Sequence, residues 1–93
     1  MNQSPLELDD KTKEGLIEAL ESGILPARLV ATSVSAHEAL SQGRSLNKDE
    51  VEATLEVLQY LRSQTAILAV AIGYSELIYK LSASSMSVRG ISD

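Results

Sequence analysis

The sequence predicts an all-α fold: a helical hairpin or bundle in which one long helix (about 47–81) is covered by two shorter helices (about 10–22 and 26–42). Two observations support this prediction. The apolar residues are mainly Leu, Ile, Val and Ala, with three Tyr and neither Phe nor Trp, which suits helix packing better than a sheet sandwich. They also recur at intervals of three and four residues, the period of a helix. We therefore expect one all-α domain (1–81) and a disordered, serine-rich tail (82–93).

The first helix has two candidate starts. Asp9 or Asp10 is the expected N-cap, although Ser4, followed by a proline and then by a glutamate, offers an earlier one. Its short apolar face consists of Leu16, Ile17 and Leu20. Gly23 is a suitable residue just past the C-terminus, so the helix is predicted at about 10–22, after a loose segment Met1–Leu8.

The second helix is predicted at 26–42. Pro26 suits its first turn, and Gly43 is a favourable residue to end it. Its apolar side consists of Leu29, Val30, Val34 and Leu40. Ser35 with Glu38 also matches a capping box, so the segment forms either one helix or two short ones.

The long helix has a well-marked start. Asn47 is the expected N-cap, and the Glu50 carboxylate can reach back to the Asn47 backbone N–H in a capping box. Leu46 and Val51 occupy the positions of a hydrophobic staple. No proline follows before the chain ends, so the helix is predicted to continue to Leu81.

The apolar face of this long helix changes side partway along. In the first half the apolar stripe consists of Val51, Leu55, Leu58 and Leu61, opposite a polar line of Glu52, Glu56, Gln59 and Ser63. Continued at about 100° per residue, the polar line becomes apolar and consists of Val70, Tyr74, Leu77 and Leu81. The apolar stripe in turn becomes Arg62, Ala69, Glu76 and Lys80. One straight helix therefore has two apolar faces that point in opposite directions.

Two arrangements would bury both faces. A helix of about 35 residues is roughly 50 Å long, whereas a compact chain of this size is about 30 Å across. Either the second half packs on another copy of the chain, or Gly73 kinks the helix and turns both faces inward. We favour a homodimer, with interface residues Ile67, Val70, Ala71, Tyr74, Leu77, Ile78 and Leu81.

Charge and hydropathy argue against several classes of protein. The net charge is −5, and residues 1–56 hold eleven acidic against five basic side chains, the opposite of a nucleic-acid-binding surface. The longest apolar run, Ala66–Ile72, is far shorter than the ~20 residues of a membrane span. No secretory signal is visible and cysteine is absent. We expect a cytoplasmic protein that binds neither nucleic acid nor membrane.

The sequence gives no catalytic, cofactor-binding or metal-binding residues. His37 is the only histidine, and no cysteine is present to join it in a zinc site. Glu52 and Glu56 are spaced to share a helix face, but no convergent ligands accompany them. Arg62 interrupts the apolar stripe and either extends along the edge of the core or pairs with an acid across an interface.

The predicted function is therefore a non-enzymatic protein–protein interaction module that forms homo-oligomers. An alternative is a small regulator whose apolar face is completed by a different protein. Secretion-type chaperones, antitoxins or adaptors and phage-type inhibitors are examples of that class, chosen by analogy of size and helicity.

Overall fold

The computed structural model of the chain describes the backbone of residues 8–92 and the side chains of residues 8–83. In this range the chain forms four α-helices and no β-strand: α1 (Asp10–Leu20), α2 (Ala27–Ser41), α3 (Lys48–Gln64) and α4 (Leu68–Ser92). The all-α prediction is confirmed. The expected loose segment at Met1–Leu8 and the alternative cap Ser4 lie outside the described residues, apart from Leu8, which packs against the core.

The prediction of one long helix at 47–81 is wrong, because three residues separate α3 from α4. Thr65 ends α3 in an extended conformation (φ −90°, ψ 137°). Its hydroxyl oxygen accepts a hydrogen bond from the Ile67 backbone N–H at 3.3 Å. The Ile67 carbonyl then accepts a hydrogen bond from the Ala71 N–H at 3.0 Å, at the start of α4. Threonine side chains compete with helical hydrogen bonds in this way, so the helix ends without a proline or glycine.

The break between α3 and α4 allows both apolar faces to be buried within one molecule. Gly73 lies inside the uninterrupted α4, so the expected alternative of a kink at this glycine is not observed. The chain instead folds back after Thr65 and α4 packs extensively on α3. Arg62 of α3 accordingly lies beside Ser75 of α4, with a hydrogen bond of 3.3 Å. Both apolar faces then point into a single core.

The segment after Leu81, predicted as a disordered tail, continues the α4 backbone as far as Ser92. Its five serines and one glycine weaken a helix, but no proline breaks it. Extending an existing helix by one residue costs much less than nucleating a new helix. Asp93 and the side chains of residues 84–92 lie outside the described part of the structure.

The ends of the first three helices follow their capping residues. The Asp9 side chain accepts the Thr12 backbone N–H at 3.2 Å, so α1 starts at the later of the two candidate positions. α1 and α2 lie within one or two residues of their predicted bounds of 10–22 and 26–42. α2 is one helix and does not divide at Ser35. The Ser35 hydroxyl donates to the Glu50 carboxylate of α3 and does not cap a second helix. The predicted capping box of Asn47 and Glu50 is confirmed.

A central core is shared by all four helices. The largest completely buried side chains are Leu16, Leu29, Thr54, Val57, Leu58, Leu61 and Leu81. Each fully buried Leu or Val contributes on the order of 2 kcal/mol to folding. α1 and α3 contact each other and both remaining helices, whereas within the described residues α2 and α4 do not touch. The outward sides of α2 and α4 therefore face away from the core in different directions.

Candidate functional site

The seven residues predicted as a dimer interface fall into two groups. Leu81 is completely buried within its own chain, and Tyr74, Leu77 and Ile78 pack against the same core. Ala71 is half-buried. Only Ile67 and Val70 are exposed, at 63% and 40%. The break at Thr65 has turned most of this face onto α1 and α3, so its apolar residues now complete the core of the same molecule.

The opposite side of α4 carries an apolar stripe that faces outward. The outer stripe consists of the exposed apolar residues Leu68, Ile72 and Tyr79, together with the half-buried Ser75 between them. At about 100° per residue they lie within roughly 60° of one another. Leu68 is 74% exposed, Ile72 51% and Tyr79 73%. Isolated apolar side chains at a surface are ordinary, but several on one helix face form a patch of the kind that marks an interaction site.

The spacing within the outer stripe is that of a helix–helix seam. Its residues follow one another at intervals of four, three and four, which is the a/d pattern of paired helices. Ile72 and Tyr79 then occupy a positions, and Leu68 and Ser75 occupy d positions. Within parallel coiled coils, isoleucine at a with leucine at d favours two strands over three or four.

Opposite charges flank the outer stripe on its two sides. Arg62 reaches α4 from α3 and donates to the Ser75 hydroxyl on one side. Glu76, which is exposed, lies at the same height on the other side. In a parallel pair of helices related by a two-fold axis, each side faces the opposite side of the partner helix. Arg62 of one copy would then face Glu76 of the other.

A second surface feature is an open groove between α1 and the first half of α4, with a volume of about 540 Å³. It is lined by Gly15, Glu18 and Ala19 of α1, by Ser22 just past the end of α1, and by Val70, Gly73, Tyr74 and Leu77 of α4. At one end Leu77 closes over Gly15, where an added Cβ would lie 3.1 Å from the leucine Cδ2. At Gly73 an added Cβ would meet nothing within 4 Å, so this part of the groove is open.

Among the described residues, Glu50 is the one buried charged side chain. Burial by itself raises the pKa of its carboxyl. Hydrogen bonds from the Ser35 hydroxyl, the Asn47 N–H (2.9 Å) and the Arg44 guanidinium (3.1 Å) outweigh burial and hold the pKa below its ordinary value. Gly43, in a left-handed conformation (φ 75°), ends α2 in the turn that places Arg44 here. Through these hydrogen bonds Glu50 connects α2, the turn that follows it and α3.

The other polar contacts join neighbouring helices at the surface. His37 Nε2 lies 2.9 Å from Glu21 Oε2, a partner distant in sequence that we did not predict. Glu56, considered above together with Glu52, pairs with Arg28 of α2 at 3.1 Å. In the part of the chain with described side chains, no three His, Cys, Asp or Glu residues are close enough to hold a metal ion. None of the described helices is long and apolar enough to cross a membrane.

The outer stripe could have been predicted from the sequence, but the more apolar face on the other side of the same helix was chosen as the interface. The spacing of Leu68, Ile72 and Tyr79 is visible in the sequence, yet the other side of the same helix is more apolar. The groove carries no such signal, because its two walls come from helices about fifty residues apart along the chain. We found no protein-family model, no curated protein and no solved structure that matches this chain.

Proposed function

We propose that this protein is a non-enzymatic protein–protein interaction module that forms a parallel homodimer through the outer stripe of α4. This proposal rests on the exposure of Leu68, Ile72 and Tyr79. The three residues lie on one side of α4 with the a/d spacing of paired helices. In the dimer each of these side chains meets its counterpart in the second copy. At the rim of this interface, Arg62 of each copy pairs with Glu76 of the other. These pairs set the orientation of the two copies more than the affinity of the dimer.

The size of this contact sets the expected affinity. One helix packed on one helix gives an interface at the low end of specific complexes, roughly 1,200 Å² or less in total. We therefore expect a dissociation constant on the order of micromolar, corresponding to about 8 kcal/mol. Sedimentation measurements from about 1 to 500 µM cover the expected transition between monomer and dimer.

Replacing Ile72 with Glu is expected to weaken the dimer more than about 100-fold. Each copy loses a buried isoleucine worth about 1.5–3 kcal/mol, and two like charges face each other across the seam. Val34→Glu is a matched control, because Val34 is 49% exposed against 51% for Ile72 and lies on α2, which does not touch α4. A wild-type monomer at the highest concentration, or equal loss in both variants, would contradict the proposal.

The parallel orientation predicts a specific pattern of disulfide cross-links. The chain has no cysteine, so Ser75→Cys and Ser82→Cys each introduce a single thiol one heptad apart on the seam. In a parallel dimer both variants should cross-link efficiently on oxidation, since each position meets its own counterpart. In an antiparallel dimer only one position can lie near the two-fold axis, so cross-linking of one variant alone refutes the parallel arrangement. Ser41→Cys, exposed on α2, measures random collision.

A further inference from the structure

The groove between α1 and α4 is separate from the outer stripe and has a different character. Val70, Gly73 and Leu77 face the groove, whereas Leu68, Ile72 and Tyr79 lie roughly on the other side of the same helix. A homodimer through the outer stripe would therefore leave the groove open. What binds in the groove is therefore independent of whether the chain dimerises.

The two walls have the form of a site for a third helix. The α4 wall presents residues at i, i+3, i+4 and i+7 over two turns of helix, namely Val70, Gly73, Tyr74 and Leu77. The facing wall has the same spacing, with Gly15, Glu18 and Ala19 in the last turns of α1 and Ser22 just past its end. Gly73 and Ala19 keep the walls low, so that another backbone can approach closely. The space opposite Gly73 is empty to at least 4 Å from an added Cβ. Grooves of this form accept the apolar face of an amphipathic helix, whose side chains enter at i, i+3 or i+4, and i+7.

The rim along α1 is acidic. Glu14 and Glu18 of α1 and its C-cap residue Glu21 are exposed, and their spacing at i, i+4 and i+7 places them along one flank of the helix. Glu21 already contacts His37, while Glu18 lines the groove itself. None of the groove-lining residues whose side chains are described is basic. The nearest lysines by helical position, Lys11 and Lys80, belong to the end that Leu77 closes.

This charge argues against a second copy of the chain as the occupant. The chain carries a net charge of −5, so another copy would bring like charge to an acidic rim. We propose that the groove binds a basic amphipathic helix of a different protein. Its apolar residues would enter the open part of the groove beside Gly73, and a Lys or Arg would pair with Glu18. Opposite charges at a rim mainly accelerate binding and select the partner.

The probe is a synthetic helical peptide of about four turns, with Leu at i, i+3 and i+7, Lys on the other face and a fluorescent label. A peptide of the same composition in scrambled order is the control for charge alone. Fluorescence anisotropy should show binding of the ordered peptide at least 10-fold tighter than that of the scrambled one. Equal binding of the two, or no binding at low salt, overturns the proposal.

Variants of the protein locate the contact. Glu18→Arg should weaken binding at least 10-fold, whereas Glu52→Arg, an equal charge change at an exposed position of α3, should change it less than threefold. Gly73→Leu fills the open part of the groove and should also reduce binding at least 10-fold, with Gly73→Ala giving a smaller loss. Circular dichroism checks that each variant is folded. Equal losses for both charge variants, or full binding by folded Gly73→Leu, rule out the groove as the site.

Binding to the groove and dimerisation are tested separately. Ile72→Glu, designed to abolish the dimer, should bind the ordered peptide as tightly as the wild type, because its substitution lies outside the groove. If dimerisation fails and the peptide still binds, only the homodimer is refuted. If Ile72→Glu removes peptide binding, the peptide does not use the groove as proposed.

Discussion

Replacing Leu81 with alanine is expected to lower the free energy of unfolding by roughly 3 kcal/mol, as is typical for deleting most of a buried leucine. Leu81 is completely buried, and it belongs to the same core as Leu16 and Leu58. The substitution removes buried apolar area and leaves a cavity, since α4 and the two helices on which it packs, α1 and α3, close only partly around it. Urea unfolding followed by circular dichroism measures the loss, with Ile72→Ala, at a 51% exposed position, expected to cost less than about 1 kcal/mol.

Protein concentration distinguishes this explanation from an interface role for Leu81. If Leu81 stabilises the core of a single chain, the loss should be the same at about 2 µM and about 200 µM protein, because folding within one chain does not depend on mass action. A loss that appears only at the higher concentration would mean that Leu81 contacts a second copy. That result would restore the interface originally expected at Tyr74, Leu77 and Leu81.

Replacing Glu50 with alanine should destabilise the protein by about 2–3 kcal/mol near neutral pH. The capping-box hydrogen bond to Asn47 contributes on the order of 1 kcal/mol, and hydrogen bonds to a charged group contribute about 1.5–3 kcal/mol. Ser35 and Arg44 lose their common acceptor, but Arg44 is 46% exposed and can be hydrated. Glu50→Gln, which keeps the shape and one acceptor oxygen, should cost less. Glu52→Gln, on the exposed side of the same helix, should cost almost nothing.

The contribution of Glu50 should depend on pH in a defined direction. Its pKa is lower in the folded protein than the ordinary value of 4.5. The stabilisation by its charge is therefore complete above that value and is lost as pH falls through the lower, folded pKa. The stability difference between wild type and Glu50→Gln should be constant from about pH 6 to 8 and shrink below about pH 4.5. A difference that grows on acidification would show that Glu50 is protonated in the folded state.

Local signals in the sequence correctly predicted where three of the four helices begin. Asp9, Pro26 and Asn47 start α1, α2 and α3 at or within one residue of the predicted positions. Capping and turn preferences act over three or four residues, so a single sequence contains the necessary information. The all-α class followed from composition and spacing for the same reason.

The end of α3 was missed because its cause is a competition between nearly equal alternatives. Thr65 is tolerated inside a helix at a cost below about 1 kcal/mol, and its hydroxyl can also accept the Ile67 N–H in the turn before α4. Local preference alone does not choose between a continuous helix and a break. Folding back buries the apolar face containing Leu77 and Leu81 against α1 and α3, and that gain of several kcal/mol decides in favour of the break.

Composition and spacing along the chain were enough to predict that the protein is helical and acidic, and that residues 51–61 and 70–81 each carry an apolar face. Tertiary contacts were needed to show that both of these faces belong to the core, and that a further apolar side of α4 stays at the surface. The side with Leu77 and Leu81 meets α1 and α3, while Leu68, Ile72 and Tyr79 remain in contact with water. Periodicity gives the angle between two faces of a helix, but the neighbours that each face meets depend on contacts between residues far apart in the chain.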